Sequence, residues 1–216
     1  DPSRPLITWY DDATGERVEL SVATTANWVA KTANLLRDTL DVHPGDRVAV
    51  ALPRHWQTPV VQLAGWLAGA SVVAVELGSA LPAGLAAGFV SEAALDAGLV
   101  VPRGVEVVAL SLRPMAGRLA TERPGVLDFA VEVPGHGDHF APGPDGDLDL
   151  DLVERATALG LSAGDRALVR LQPWTPDGLV ATGLAPLLAG AGVLICSGDD
   201  VPQSRLDAER VTRTLG

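Results

Sequence analysis

The sequence predicts an α/β fold, made of two pseudo-repeated β-α-β lobes with mainly parallel sheets flanked by helices. Three observations predict it. Short apolar runs such as Val48-Ala49-Val50-Ala51-Leu52 and Val193-Leu194-Ile195-Cys196 show no polar alternation, as expected of parallel strands covered on both faces. These runs are separated by stretches long enough for a crossover helix. One unit also occurs twice. Gly45-Asp46-Arg47 is followed by Gly69-Ala70 at nearly the spacing that separates Gly164-Asp165-Arg166 from Gly190-Ala191, and Leu67-Ala68-Gly69-Ala70 matches Leu188-Ala189-Gly190-Ala191. Two copies make an internal duplication; a solenoid needs at least three.

The elements follow in order. Thr8–Asp11 and Arg17–Leu20 read as strands joined by the turn Asp12-Ala13-Thr14-Gly15. Ser21 is a candidate N-cap, and Val22, Ala26, Val29, Ala33 and Leu36 form one apolar helical face through about Leu40. Lys31 and Arg37 lie off that face, which makes Lys31 a solvated helix residue. A turn at Val42–Arg47 leads to the strand Val48–Leu52, a helix over His55–Ala68 and the strand Ser71–Val75. The crossover of this unit is expected to be right-handed. Short helices are expected at Ala80–Gly88 and Ser91–Gly98, and strands at Leu99–Val101, Glu106–Leu110 and Leu127–Val133. Pro134–Asp147 reads as a loop. Asp151 then caps a helix through Leu159, Ala167–Leu171 is a strand, Asp177–Ala189 is a helix containing Pro186, and Gly192–Cys196 is a strand. The glycine closing each crossover suits a left-handed helix end, and the alanine after it permits close packing. Gly-Asp-Arg is a turn whose charges face solvent or pair with each other.

With 216 residues, 47% of them hydrophobic, the chain can bury a sizeable core as one domain, 1–216, with sub-lobes at 1–133 and 148–216 joined by the loop 134–147. The net charge of -11 disfavours nucleic acid and anionic membranes as partners. Lys31 is the only lysine, and the other cations are arginines. Cys196, the only cysteine, lies in an apolar run and reads as a small buried hydrophobe. The uncharged stretch Leu179–Cys196 contains Gly183, Pro186, Gly190 and Gly192, which suits a helix followed by a strand better than a membrane span. No signal pattern opens the chain, so a cytoplasmic location is expected.

Ser21–Leu36, the run Pro44-Gly45-Asp46-Arg47-Val48-Ala49-Val50-Ala51-Leu52-Pro53, and Trp66-Leu67-Ala68-Gly69-Ala70 together resemble the opening of the adenylate-forming superfamily. That superfamily includes acyl-CoA synthetases, luciferases and peptide-synthetase adenylation domains. The resemblance implies an N-terminal domain of two similar subdomains, and it is closest to a short actinobacterial family of truncated members. Leu171-Gln172-Pro173-Trp174-Thr175-Pro176-Asp177-Gly178-Leu179 stands where the superfamily reads L-P-L-F-H-x-x-G-L. The resemblance therefore implies a relic acyl or aryl pocket at Trp174, Thr175, Asp177 and Gly178.

The departures are chemical. The superfamily wraps ATP phosphates with a Ser/Thr/Gly-rich loop ending in Pro-Lys-Gly. Here the corresponding stretch, residues 142–149, holds neither Ser, Thr nor Lys and carries Asp145, Asp147 and Asp149. Thr175 replaces the aromatic-motif histidine, and the later nucleotide motifs and the lysine-bearing lid are absent. Gly190-Ala191-Gly192 lacks the third glycine of a dinucleotide fingerprint and opens a strand, and no G-x-S-x-G occurs. His136 and His139 are too few ligands for a zinc site, and Asp145-x-Asp147-x-Asp149-x-Asp151 lacks the in-register glycine of a calcium loop. No catalytic residue, metal or cofactor is expected.

The reading is thus a degenerate, non-catalytic adenylate-forming fold, a pseudo-enzyme that binds a partner or an acyl-type ligand. Its alternatives are a minimal or split AMP-forming acyl-CoA synthetase completed by another chain, and a structural or regulatory subunit. A homodimer or a protein partner is expected from sheet edges left uncovered.

Overall fold

The computed structural model describes residues 1–143 and 149–216. It opens with the antiparallel hairpin β1 (Pro5–Tyr10) and β2 (Arg17–Ser21). Ser21 caps α1 (Val22–Asn34), accepting the Thr24 N–H at 3.1 Å as predicted. The last turn widens into a π-helix at Leu35–Thr39, where the Leu40 N–H reaches back to the Leu35 carbonyl. Val29, Ala33 and Leu36 are buried as expected, but Ala26 is exposed and Thr25 is buried in its stead. Helical geometry, not hydropathy, selects that residue. Lys31 is not solvated: it is half-buried, and its Nζ donates to the carbonyls of His136 (2.5 Å) and Pro134 (3.3 Å).

β3 (Arg47–Ala51), α2 (Gln57–Leu67) and β4 (Ser71–Ala74) form the first predicted β-α-β unit. The expected helix at Ala80–Gly88 is absent, and its last residues begin β5 (Ala87–Ser91). This strand is buried along its whole length between two neighbours, and a Cβ on Gly88 would meet Leu81 Cδ1 at 2.9 Å. Tertiary packing overrides the helical propensity of the alanines there. Ser91 caps α3 (Glu92–Asp96), accepting from Ala94 N–H. Leu99–Val101 is loop, not strand: Val100 is 65% exposed, and its carbonyl accepts the Leu81 N–H outside any ladder. β6 (Glu106–Leu110) lies where predicted. β7 (Val126–Asp128) is shorter than the expected Leu127–Val133, because the Asp128 carboxylate accepts the Ala130 N–H and turns the chain into α4 (Phe129–Glu132).

α5 (Leu150–Ala158) is capped by Asp149 instead of Asp151, which sits in its first turn. β8 (Arg166–Val169) follows. The expected helix Asp177–Ala189 is two helices, α6 (Pro176–Ala181) and α7 (Leu184–Ala189), parted at Thr182-Gly183. Pro186 falls in the first turn of α7, where a missing N–H costs no hydrogen bond. β9 (Gly192–Cys196) is as predicted. The last residues add α8 (Gln203–Ala208) and β10 (Arg213–Leu215), for which the sequence offered no signal. The uncharged stretch therefore folds as helices and a strand. Among the described residues no helix is long and apolar enough to cross a membrane.

The chain forms two compact units that interleave along the sequence. The first comprises Asp1–Ala26, Pro53–Pro59 and Asp149–Gly216; the second comprises Asn27–Leu52 and Val60–Leu148. The first unit holds a five-stranded sheet, β10-β8-β9-β1-β2, parallel except for β2. The second holds an all-parallel sheet, β4-β3-β5-β6-β7. The linear order of the chain suggests a division at the loop 134–147, whereas the hairpin β1–β2 joins the sheet of the last residues, with Ile7–Tyr10 in register with Val193–Cys196. Ala49, Ala51, Val90 and Ala109 fill one side of the second sheet, while elsewhere in that unit Trp28 stacks on Phe129 and Phe89 meets Phe129 edge-on. In the first unit Leu168, Leu194, Val201 and the free Cys196 pack together, and burial pushes the Cys196 thiol up from its ordinary pKa.

The duplication repeats bond by bond. Gly45 N–H donates to Gly69 O (2.9 Å), Asp46 carboxylate accepts His43 N–H (2.8 Å), and Ser71 N–H donates to Asp46 O (2.7 Å). In the second copy Gly164 N–H donates to Gly190 O (3.3 Å), Asp165 carboxylate accepts Ser162 N–H (2.8 Å), and Gly192 N–H donates to Asp165 O (2.8 Å). Gly45 and Gly164 share left-handed φ values of +88° and +86°. A third strand lies beside each unit in the same place, giving β4-β3-β5 and β9-β8-β10. The aspartate of each Gly-Asp-Arg caps its own turn instead of pairing with the next arginine. Arg47 donates to Ala83 O (3.1 Å), and Arg166 reaches Glu209 (2.5 Å) and the Thr8 hydroxyl (2.7 Å).

A Cβ at Gly45 or Gly164 would meet nothing within 4 Å, so only the backbone conformation opposes it. Gly45→Ala and Gly164→Ala are each expected to lower the unfolding free energy by about 1 kcal/mol. Urea denaturation would check this, and clearly unequal losses would contradict the equivalence of the two turns.

Candidate functional site

β1, β8 and β9 run parallel, so Asp11, Arg170 and Ser197 emerge at one edge of the first unit's sheet. In parallel α/β sheets this carboxyl-terminal edge is where ligands settle. β8 leaves it through Arg170–Trp174 and enters α6 at Thr175. The Thr175 hydroxyl accepts the Gly178 N–H (3.1 Å) and donates to Gln172 O (2.8 Å), while Pro176 occupies the first helical position. A Cβ on Gly178 would lie 1.9 Å from Gln172 O, so the turn tolerates no side chain there.

The four residues singled out from the sequence thus divide. Thr175 and Gly178 meet in one helix cap. Trp174 is half-buried beside them in the chain. Asp177 points to α5, where it pairs with Arg155 at 2.9 Å. It also lines an open cleft of about 370 Å³ with Asp151, Glu154, Arg155, Ala158 and Leu159. Three carboxylates face one guanidinium in that cleft, a poor setting for an anionic ligand.

The edge itself is occupied by the protein's own bonds. Ser197 Oγ accepts the Asp12 N–H (2.9 Å) and donates to Asp11 (3.2 Å). Asp12 takes the Gly198 N–H on one oxygen (3.0 Å) and Arg205 on the other (2.6 Å). The Arg205 guanidinium lies 4.4 Å over the Tyr10 ring. The Arg54 side chain, 8% exposed, donates to the carbonyls of Arg170 (3.3 Å) and Ser197 (3.2 Å) and to the Asp199 carboxylate (2.5 Å). Hydrogen bonds from the Thr14 hydroxyl and from Ala13 N–H hold the Asp11 carboxyl below its ordinary pKa.

Sequence reasoning missed a second cluster in the same unit. Glu209 accepts from Tyr10 Oη (2.6 Å), Arg17 (2.9 Å) and Arg166 (2.5 Å). Arg17 also reaches Glu19 at 2.7 Å. Burial opposes ionisation of Glu209, but the hydrogen bonds from Arg17, Tyr10 and Arg166 outweigh it and bring its pKa to about 2. No local pattern around Glu209 announces this role, because its partners lie far away in the chain. His136 and His139 serve through their carbonyls, which accept from Lys31 and Asn34 respectively, and His136 Nε2 lies 3.3 Å from Thr39 Oγ1. Among the described residues no group of three His, Cys, Asp or Glu side chains could hold a metal. Asp145 and Asp147 of the expected phosphate-loop region lie outside the described residues.

Two mainly parallel five-stranded sheets flanked by helices resemble the fold of an acyl-CoA synthetase N-terminal domain. The Brucella canis acyl-CoA synthetase superposes with a TM-score of 0.76 at 20% identity, over 99% of this chain and 44% of that one. Acetoacetyl-CoA synthetase from Streptomyces lividans gives 0.67 at 20% identity, over 90% and 36%. The chain therefore spans less than half the length of these enzymes. The AMP-binding enzyme family matches residues 1–128, and the chain belongs to that family. Within it, a "TIGR03089 family protein" of Mycobacterium tuberculosis (strain ATCC 25618 / H37Rv) is 43% identical over 230 aligned positions, covering 100% of this chain and 93% of that protein.

Gly178→Ala is expected to cost about 3 kcal/mol or more of stability by driving a methyl into Gln172 O, whereas Gly135→Ala, in open space, is near neutral. Thermal unfolding of both variants would check this. Glu209→Gln is expected to cost roughly 3 kcal/mol, because it leaves two arginines partly buried without their shared carboxylate. The folded pKa of Glu209 lies below its unfolded value, so its contribution is complete above about pH 4.5 and is lost as the pH falls toward 2. The variant should lack that segment of the acid-denaturation profile.

Proposed function

We propose that this chain is a non-catalytic member of the AMP-binding enzyme family, which uses the adenylate-forming scaffold to bind an acyl-type ligand or a protein partner. The observation that carries this reading is the closure of the sheet edge in the first unit. The Gly198 and Asp12 amides, placed where an anion would be received, already serve the Asp12 carboxylate and Ser197. Adenylation requires donors aimed at the charge that builds on the α-phosphate. A bound phosphate would have to expel a carboxylate from the same amide.

The sequence supports the same conclusion. Residues 142–149 bring no hydroxyl or lysine, and Lys31, the chain's only lysine, is committed to two carbonyls of a loop. The aromatic-motif histidine is replaced by Thr175, whose hydroxyl is spent on a helix cap. On this reading the acyl-type ligand rests against Trp174 beside the Thr175–Gly178 cap, and the position of Asp177 disfavours a free carboxylate at that spot. The net charge of -11 further weakens attraction for polyphosphate.

ATP–pyrophosphate exchange with a panel of fatty and aryl acids tests the proposal. Background exchange is expected with the chain alone, and robust turnover would overturn it. Turnover confined to mixtures with a second polypeptide would favour a split synthetase instead.

A further inference from the structure

His55 lies outside the site just described. The segment Pro53–Pro59 belongs to the first unit, while Leu52 before it and Val60 after it belong to the second, so these residues tether one unit to the other through the chain itself. Several bonds hold the tether. Arg54 makes the three contacts given above, the Thr58 hydroxyl donates to Pro53 O (2.7 Å), and Thr58 N–H donates to His55 O (3.2 Å). The His55 ring is 3% exposed, edge-on to Trp9 at 4.3 Å and tilted against Trp56 at 5.6 Å.

Its hydrogen bonding fixes its protonation state. Nδ1 accepts the backbone N–H of Gln57, the first residue of the 11-residue α2. Nδ1 is therefore unprotonated, and the ring proton sits on Nε2. Nε2 and the neighbouring Trp9 Nε1 have no hydrogen-bond partner among the described residues. The imidazole thus caps one of the amides that a helix start leaves unsatisfied.

We infer that His55 is a proton-sensitive cap: protonation of its ring releases the segment Pro53–Pro59 from the first unit. Three effects act in the same direction. A proton on Nδ1 turns the acceptor into a donor facing the Gln57 N–H. The new charge sits at the positive end of the α2 dipole. It is also enclosed by two indoles and cut off from water. The charged groups around the ring do not compensate. Asp11, at the end of β1, favours the protonated form, but burial dominates and pushes the ring down to about 3. Arg54, next in the chain, carries a positive charge already taken by Asp199.

The folded pKa lies below the unfolded one, so the cap's contribution is complete above about pH 6.5 and is lost progressively as the pH falls toward 3. Acidification in that window selects conformations in which the ring has left its place.

His55→Asn tests this, because the Asn side-chain carbonyl can accept from Gln57 N–H without titrating. Between pH 7.5 and pH 5 the folding equilibrium constant of the natural chain should fall about 30-fold more than that of the variant. Amide exchange at residues 54–58 should lose protection at pH 5 before the strands do, in the natural chain and not in the variant. NMR should show the His55 ring staying neutral well below pH 6 in the folded state. A ring that titrates near 6.5 while folded would overturn the inference. So would parallel acid loss in both proteins, or protection falling uniformly along the chain. If His55→Asn fails to fold, the ring titration and site-resolved exchange of the natural chain decide the matter.

Discussion

The parallel ladder between β1 and β9 is the constraint on which the rest of the first unit depends. It bonds residues 7–10 to residues 193–196, nearly the full length of the chain apart. Only when that ladder has formed do Asp11 and Asp12 stand beside Ser197 and Gly198, and only then can Arg205 reach Asp12. The closing entropy for so long a loop is paid once, and every later contact at that edge benefits from it. The interleaving of the two units follows from the same ladder, because the hairpin must cross to the sheet built by the final residues while α1 carries the chain into the other unit.

The duplicated turn separates scaffold from function. Both copies keep the left-handed glycine, the carboxylate that accepts an amide three residues upstream, and the carbonyl that receives the next strand. These bonds serve the backbone, so they survive in either context. The arginine that follows is free to differ. Arg47 satisfies a loop carbonyl, whereas Arg166 enters the Glu209 cluster and links β8 to β1 and α8. A partly buried carboxylate is tolerable there because three donors meet it.

The sheet edge of the first unit is closed by the protein's own hydrogen bonds. An anion site at the end of a parallel sheet needs amides and cations without internal partners. Here the amides of Asp12 and Gly198 and the guanidinium groups of Arg54 and Arg205 are all engaged by the protein's own oxygens. These contacts fasten the loops at that edge. His55 is the exception: it is buried, neutral and, among the described residues, bonded on one nitrogen only, so its environment depends on proton concentration in a way that the saturated clusters do not.

The sequence by itself determined the elements whose signals are local. Ser21 sits at a helix start, β6 and β9 fall on their apolar runs, and the two Gly-Ala pairs end their helices, because capping and left-handed turns involve residues within a few positions of one another. Tertiary structure decided the rest. Ala87-Gly88 became strand because two neighbours enclose it, Asp128 cut a strand short by turning to cap a helix, and Lys31 was drawn from solvent by carbonyls a hundred residues away. Glu209, Arg54 and His55 gave no signal in the sequence, since a titratable side chain acquires its role from partners that only the fold brings within hydrogen-bonding distance.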